Sequence, residues 1–252
     1  MVRLDGTVAL VTGASSGIGE ATAEQLAAQG AAVALVARRA DRLETLAGRI
    51  RAAGGTALVI EADVTDQEQA IGAVERTVAE LGRLDTLVNN AGVMLLGPVA
   101  DAPTEEWDRM VRVNLLGLLY CAHAALPHLV RAASDSERGV SDMVNISSVA
   151  GRVARAGSGV YNATKFGVGA FSEALRQEVT QRHVRVSLVE PGAVETELLS
   201  HNRPEIIEAG RRFFDFEKLE AEDIADAIVY VVTRPRRVAV NEILVRPTEQ
   251  KR

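Results

Sequence analysis

Residues Thr7 to Gly19 read TVALVTGASSGIG and carry two elements with a turn between them. Thr7 to Thr12 is apolar or β-branched at every position, which suits a strand buried on both faces. Glycines at 13, 17 and 19 follow, and they permit a tight turn with close backbone approach. From Ile18 to Gly30 the apolar residues recur at helical spacing. A strand, a glycine-rich turn and a helix in that order offer free helix N–H groups, and the positive end of the helix dipole, to a phosphate. The spacing is G-x-x-x-G-x-G, so the turn shares the logic of the dinucleotide fingerprint without its G-x-G-x-x-G register.

Outward from this stretch the strand character repeats. AVALVA (Ala32 to Ala37), TALVIE (Thr56 to Glu61), DTLVNN (Asp85 to Asn90), DMVNIS (Asp142 to Ser147), RVSLVE (Arg185 to Glu190) and NEILVR (Asn241 to Arg246) are short apolar runs. Helical patterns such as Gln67 to Leu81 separate them. This alternation predicts an α/β fold, one doubly wound parallel sheet of about seven strands with helices on both faces. No Pro/Ser-rich linker interrupts it, so residues 1–252 read as a single domain. The segment at about 196–218 breaks the rhythm. It holds Leu198, Leu199, Phe213, Phe214 and Phe216 in a long connection, which reads as a lid over a substrate.

Composition narrows the function. Hydrophobic residues make up 47% of the chain and charged residues 25%, with a net charge of −6. That balance gives no reason to expect a nucleic-acid or anionic-membrane partner. Cys121 is the one cysteine, so there is no internal disulfide and no thiolate cluster for zinc. The four histidines have no ligand spacing, and no metal is expected. The N-terminal residues carry acid and glycine where a signal peptide needs an apolar run. No apolar run approaches the roughly 20 residues of a membrane span. A cytoplasmic protein is expected.

The second strand bears on the choice of dinucleotide. An NAD-binding chain usually ends that strand with an acid that accepts from the ribose 2′-hydroxyl. This chain has Ala37 there, then Arg38 and Arg39. Two guanidiniums can clamp a 2′-phosphate, and no carboxylate at that position repels it. NADP(H) is expected, with Asp41 near enough to keep NAD(H) as the alternative.

The stretch YNATK, Tyr161 to Lys165, places one of three lysines four residues after one of three tyrosines. Residues so spaced on a helix share a face. A tyrosine has an ordinary pKa of about 10 and is a poor base at neutrality. A neighbouring ammonium favours the phenolate, so the pair reads as a general acid/base.

With these pieces the sequence resembles the short-chain dehydrogenase/reductase family along nearly its whole length. The matching motifs are TGASSGIG, Asp63-Val64, NNAG (Asn89 to Gly92), Asn114, Ser148, YNATK and PGAVET (Pro191 to Thr196), in the family's order and at its spacings. The resemblance implies a Rossmann-type fold and hydride transfer between a nicotinamide cofactor and a carbonyl or alcohol. It implies a catalytic set of Asn114, Ser148, Tyr161 and Lys165. Ser147 competes with Ser148, but the thirteen-residue step to Tyr161 favours Ser148. Asn114 is implied to hold a water linked to the lysine, and Lys165 to hold the nicotinamide ribose as well. The implied cofactor residues are Gly13, Ser15, Ser16, Gly17, Ile18 and Gly19 around the phosphates, with Arg38 and Arg39. Asp63 and Val64 are implied for adenine, although Asp63 also reads as a helix N-cap. Asn90, Ala91 and Gly92 support the adenosine ribose, and Tyr161, Lys165, Pro191, Gly192, Val194 and Thr196 lie toward the nicotinamide.

The ending VRPTEQ (Val245 to Gln250), with MLLGP (Met94 to Pro98) and GRV (Gly151 to Val153), resembles an NADP-dependent branch that includes clavulanic acid dehydrogenase. Substrate walls are expected at Met94 to Leu96, Val149 to Ala154 and the 196–216 segment. Arg152 and Arg155 are candidates to meet a substrate carboxylate. The resemblance also implies assembly through the helix from Gly159 to Gln181, as a homotetramer with a dimer second. A bulky ketone or aldehyde is the expected substrate. The rival readings are an NAD-linked secondary alcohol dehydrogenase and a non-catalytic NADP-sensing protein.

Overall fold

The computed structural model describes residues 3–213 and 216–251. Phe214 lies outside the described residues, as does the side chain of Phe213. Seven strands form one sheet: β1 (Val8–Thr12), β2 (Ala32–Ala37), β3 (Thr56–Glu61), β4 (Thr86–Asn89), β5 (Ser141–Ile146), β6 (Val184–Pro191) and β7 (Glu242–Val245). Their order is β3-β2-β1-β4-β5-β6-β7, parallel throughout. The expected doubly wound α/β sheet is therefore present, with each strand within a residue or so of its apolar run.

Among the described residues eight α-helices surround it: α1 (Gly17–Ala28), α2 (Ala40–Ala52), α3 (Gln67–Leu81), α4 (Thr104–Val111), α5 (Gly117–Asp135), α6 (Gly159–Val179), α7 (Pro204–Phe213) and α8 (Ala221–Val232). Successive strand residues alternate between the two faces, because side chains along a strand repeat every second residue. Val33 and Leu35 join Leu26 of α1, Leu43 and Leu46 of α2 and Ile224 and Ile228 of α8 on one face. Ala34 and Val36 join Val74 of α3, Leu129 of α5 and Leu175 of α6 on the other. Each fully buried leucine or isoleucine contributes roughly 1.5–3 kcal/mol, so both layers hold the sheet. Burial pushes the Cys121 thiol up to about 12, which leaves it inert.

The expectation about membrane-length runs needs a correction. The continuous helical stretch Thr104–Asp135 is long and apolar enough to cross a membrane by length and composition. Scattered polar residues hide this in the linear sequence. Its inner face, with Cys121, Ala122, Ala125 and Leu129, is a core face packed against the sheet. Its other apolar residues, such as Leu119, Tyr120, Leu126 and Val130, are half-buried.

β1 is paired with β2 on one side and β4 on the other. The chain runs outward in opposite directions from these two central strands. The connections after β1 and β4 therefore diverge and open a crevice at the carboxyl ends of the strands, where open α/β sheets bind ligands.

Candidate active site

The glycine turn is clamped to the end of β4. Thr12 Oγ1 accepts from the backbone N–H groups of Asn90 (3.0 Å) and Ala91 (3.1 Å). Asn90 Nδ2 donates to the carbonyls of Thr12 (3.0 Å) and Gly13 (3.3 Å). Gly13 and Gly17 have φ of 66° and 56°, which other residues adopt at a cost. A Cβ at Gly19 would overlap the Gly13 carbonyl oxygen, so this glycine packs helix against turn and does not face the cleft. Ser16 precedes α1 without capping it through its side chain. The first N–H groups of α1 stay available to an anion, and the turn fits a dinucleotide phosphate.

The two arginines after β2 have different settings. Arg39 turns into the cleft, where Nε donates to Ser15 Oγ (3.1 Å) and Nη2 to Ser16 Oγ (2.8 Å). Arg38 is mostly exposed and lies 3.8 Å from Asp63 Oδ2. Asp63 does not cap α3. That cap is Asp66, whose Oδ1 accepts from the Gln69 N–H at 3.0 Å. Asp63 instead closes a local turn by accepting from the Thr65 N–H at 2.9 Å.

At the inner end of the cleft, α6 carries YNATK with a distinct contact for four of its five residues. Tyr161 is buried beside Ser148, whose hydroxyl is near enough to oppose the effect of burial on the phenol. Asn162 pins the preceding loop by donating to the carbonyls of Ala150 (2.7 Å) and Val153 (3.1 Å). Thr164 Oγ1 accepts from Asn114 Nδ2 at 3.2 Å. Lys165 Nζ donates to the Ile146 carbonyl at 2.9 Å and lies 5.9 Å from the Tyr161 ring centroid. Ser147 Oγ is committed to the Lys165 carbonyl at 3.1 Å, which leaves Ser148 as the serine beside the tyrosine. Asn114 lies behind the wall, buried in a π-helical turn (Arg112–Leu116) between α4 and α5. The wider turn, a feature frequent at functional sites, presses its amide onto Val93: Oδ1 accepts from the N–H and Nδ2 donates to the carbonyl, both at 2.8 Å.

One cleft of about 480 Å³ joins these parts. The expected residues Gly13, Ser15, Ser16, Gly17, Ile18, Arg38, Arg39, Asp63, Val64, Asn90, Ala91, Gly92, Ser148, Tyr161, Lys165, Pro191, Gly192, Val194 and Thr196 line it, while Gly19 and Asn114 do not. Residues 7–206 match the family model for short chain dehydrogenases. The chain belongs to the short-chain dehydrogenase family. Membership makes it an oxidoreductase acting on a CH–OH group. Among relatives it is 42% identical over 250 residues to a glycine betaine reductase of Emericella nidulans, covering 98% of this chain and 19% of that protein. The chain thus spans about a fifth of that relative. It is 36% identical to an uncharacterised oxidoreductase of Staphylococcus epidermidis over 98% of this chain and the whole of that one. Among solved structures, the closed form of a serine dehydrogenase complexed with NADP+ superposes with a TM-score of 0.86. It is 32% identical and the match covers 98% of this chain and 97% of that one.

In this short-chain dehydrogenase burial dominates the electrostatics of the pair. Burial pushes Tyr161 up to about 12, with the Ser148 hydrogen bond opposing it. Burial pushes Lys165 down to about 8. The lysine is expected to favour the phenolate together with the positive charge of an oxidised nicotinamide; within the protein itself, burial moves both groups toward their neutral forms. Withdrawal from water costs both charged forms more than one ammonium at this distance restores.

Several wall residues of this dehydrogenase escaped the sequence reading. Arg42 and Glu197 form an ion pair at 2.7 Å, and Glu197 also holds Arg39 at 2.8 Å. Arg109 and His201 line the same cleft, and burial with the Arg109 charge pushes His201 down. Only tertiary proximity joins the 197–201 turn to β2 and α4, so no local signal marks these residues. Arg152 is a further correction. It pairs with Glu190 at 2.5 Å and with Glu242, which commits its charge within the protein. The segment after Thr196 is held by Asn202, which accepts from the Leu96 N–H and donates to the Met94 carbonyl, each at 2.7 Å.

Proposed function

We propose that this short-chain dehydrogenase uses NADP(H) to interconvert a bulky ketone or aldehyde and its alcohol, with Tyr161 as general acid/base. One observation carries the reading. Ser148, Tyr161 and Lys165 meet in a cleft that is also walled by Arg38 and Arg39. The solved serine dehydrogenase, which holds NADP+, supports the choice of cofactor.

The residues divide the work. Gly13, Ser15, Ser16, Gly17 and Ile18 would hold the pyrophosphate, and Arg39 with Arg38 the 2′-phosphate. Asp63 and Val64 would take the adenine, with Asn90, Ala91 and Gly92 at its ribose. Pro191, Gly192, Val194 and Thr196 would hold the nicotinamide. When bound, the cofactor supplies a hydride to the carbonyl carbon. The carbonyl π pair moves to oxygen, and Tyr161 gives its proton to that oxygen. Ser148 donates a hydrogen bond to the same developing charge. Lys165 holds the nicotinamide ribose and offers positive charge to the phenolate left behind. Asn114 orders the water through which the proton is replaced. A tyrosine held near 12 is protonated at neutrality, which favours carbonyl reduction.

Of the apolar residues near Tyr161, Val93, Val113 and Leu198 line the cleft, which favours a bulky apolar carbonyl compound. The commitment of Arg152 to Glu190 and Glu242 removes one cation considered for a carboxylate. A lone buried thiol suits a cytoplasmic setting.

A panel of ketones, aldehydes and alcohols, followed by NADPH and NADP+ absorbance, tests the reaction. Absence of turnover with every compound would favour a non-catalytic sensor. Arg39→Asp should weaken NADPH at least tenfold more than NADH in a fluorescence titration, since it sets a carboxylate against a phosphate. Equal losses would favour the NAD-linked alternative. Assembly as a homotetramer, with a dimer second, is supported by exposed Phe166 on α6. Light scattering at micromolar concentration should give an oligomer, and a monomer would refute this.

A further inference from the structure

Glu197 stands immediately after Thr196, at the start of a 3-10 turn (Glu197–His201). Its carboxylate bridges two guanidiniums. Oε2 accepts from Arg39 Nη1 at 2.8 Å and Oε1 from Arg42 Nη1 at 2.7 Å. Arg39 is the same side chain that donates to Ser15 and Ser16 on the glycine turn. An anion therefore already sits on the arginines beside the dinucleotide cradle, and it comes from the lid. The lid also touches the cradle directly, because a Cβ at Gly17 would lie 3.0 Å from the Thr196 methyl group.

We propose that Glu197 is a built-in competitor of the 2′-phosphate: its carboxylate occupies Arg39 and Arg42, a dinucleotide bearing that phosphate must displace it, and its presence narrows the preference for that dinucleotide over one ending in a 2′-hydroxyl. This rests on the NADP(H) reading above. The exchange is favourable because a phosphate dianion offers two guanidiniums more charge and more acceptor oxygens than a carboxylate does. A dinucleotide ending in a 2′-hydroxyl offers no charge in return, and it binds with the bridge in place. The arginines hold the Glu197 carboxyl down to about 2, so the competition is between anions and needs no proton. All three side chains remain partly exposed, at 39%, 45% and 42% for Arg39, Arg42 and Glu197. Such pairs are weak, each worth up to roughly fivefold in an equilibrium constant, so a ligand can replace them. Displacement frees the near end of the lid, while Asn202 keeps its far end on Met94 and Leu96. Cofactor binding and lid position are thereby coupled through one carboxylate.

Binding of adenosine 2′,5′-bisphosphate and of adenosine 5′-monophosphate, measured by calorimetry on wild type and Glu197→Gln, tests this without turnover. Glu197→Ala serves as a second variant that leaves no amide on the arginines. Both substitutions should tighten the bisphosphate about fivefold and move the monophosphate less than about twofold. Hydrogen exchange across 197–203 in the wild type should rise with the bisphosphate and not with the monophosphate. Unchanged or weaker bisphosphate binding in both variants, or equal exchange with the two ligands, would overturn the inference alone, provided the wild type prefers the bisphosphate. A wild type that binds both probes equally would overturn the NADP(H) reading and this inference with it.

Discussion

Tyr161→Phe is expected to lower turnover by about 10²- to 10⁴-fold, the range typical of a lost general acid, while NADPH still binds. The substitution removes one oxygen and the proton it carries. The ring keeps its packing with Val93, Leu95 and Met110, so the fold should survive. The contacts assigned to the dinucleotide lie mainly on the turns after β1 to β4, away from the deleted hydroxyl. Steady-state kinetics should therefore show the loss in kcat, with the NADPH dissociation constant within about threefold of wild type. A variant that keeps more than a tenth of wild-type kcat would defeat the proposed role. Ser148→Ala should act in the same direction with a smaller loss, because it removes a hydrogen bond and not the proton.

Lys165→Met should damage both turnover and cofactor affinity, since the lysine is assigned to the ribose and to the phenolate. A loss of about 10²-fold or more in kcat/KM is expected for a charge aimed at the reacting oxygen. This substitution has a second signature, in stability. Burial sets the folded pKa of Lys165 at about 8, below its ordinary 10.5. Below pH 8 both folded and unfolded chains carry the ammonium, and the folded chain bears the full cost of burying it. Between about 8 and 10.5 the unfolded chain binds more protons, so stability rises with pH. Above 10.5 both forms are neutral and the cost is gone. The wild type should therefore gain on Lys165→Met by at most about 3 kcal/mol as pH rises through this window. Denaturant melts of both proteins at pH 7 and pH 10 measure the difference. Parallel curves would show that the ammonium is not desolvated. A lysine that costs stability at neutral pH is retained for what its charge does in the site.

The sequence was most legible where a local rule suffices. Thr7 to Thr12 had to be a two-sided buried strand, and Gly13 to Gly19 had to be a turn into a helix. Both follow from side-chain shape and backbone freedom over a few residues. The four-residue step from Tyr161 to Lys165 likewise fixed their shared helix face. Legibility failed where a residue's partner is distant in the chain. Asp63 looked fit to cap α3, and the structure gives that role to Asp66. Arg152 looked free to meet a substrate until Glu190 and Glu242 closed on it. Gly19 looked like a phosphate contact and proved to be a packing glycine.

The sequence by itself determined the α/β class, the seven strands, the phosphate-binding turn and the pair Tyr161 and Lys165. These depend on periodicity and spacing, which are properties of neighbouring residues. Only the tertiary structure decided the direction in which burial moves Tyr161 and Lys165, because desolvation depends on everything packed around a group. It alone placed Asn114 behind the wall on Val93, through a π turn with no sequence mark. It alone set Glu197 on Arg39 and Arg42, across more than 150 residues of chain. Charge pairing depends on distance in space, and the linear order of residues does not contain that distance.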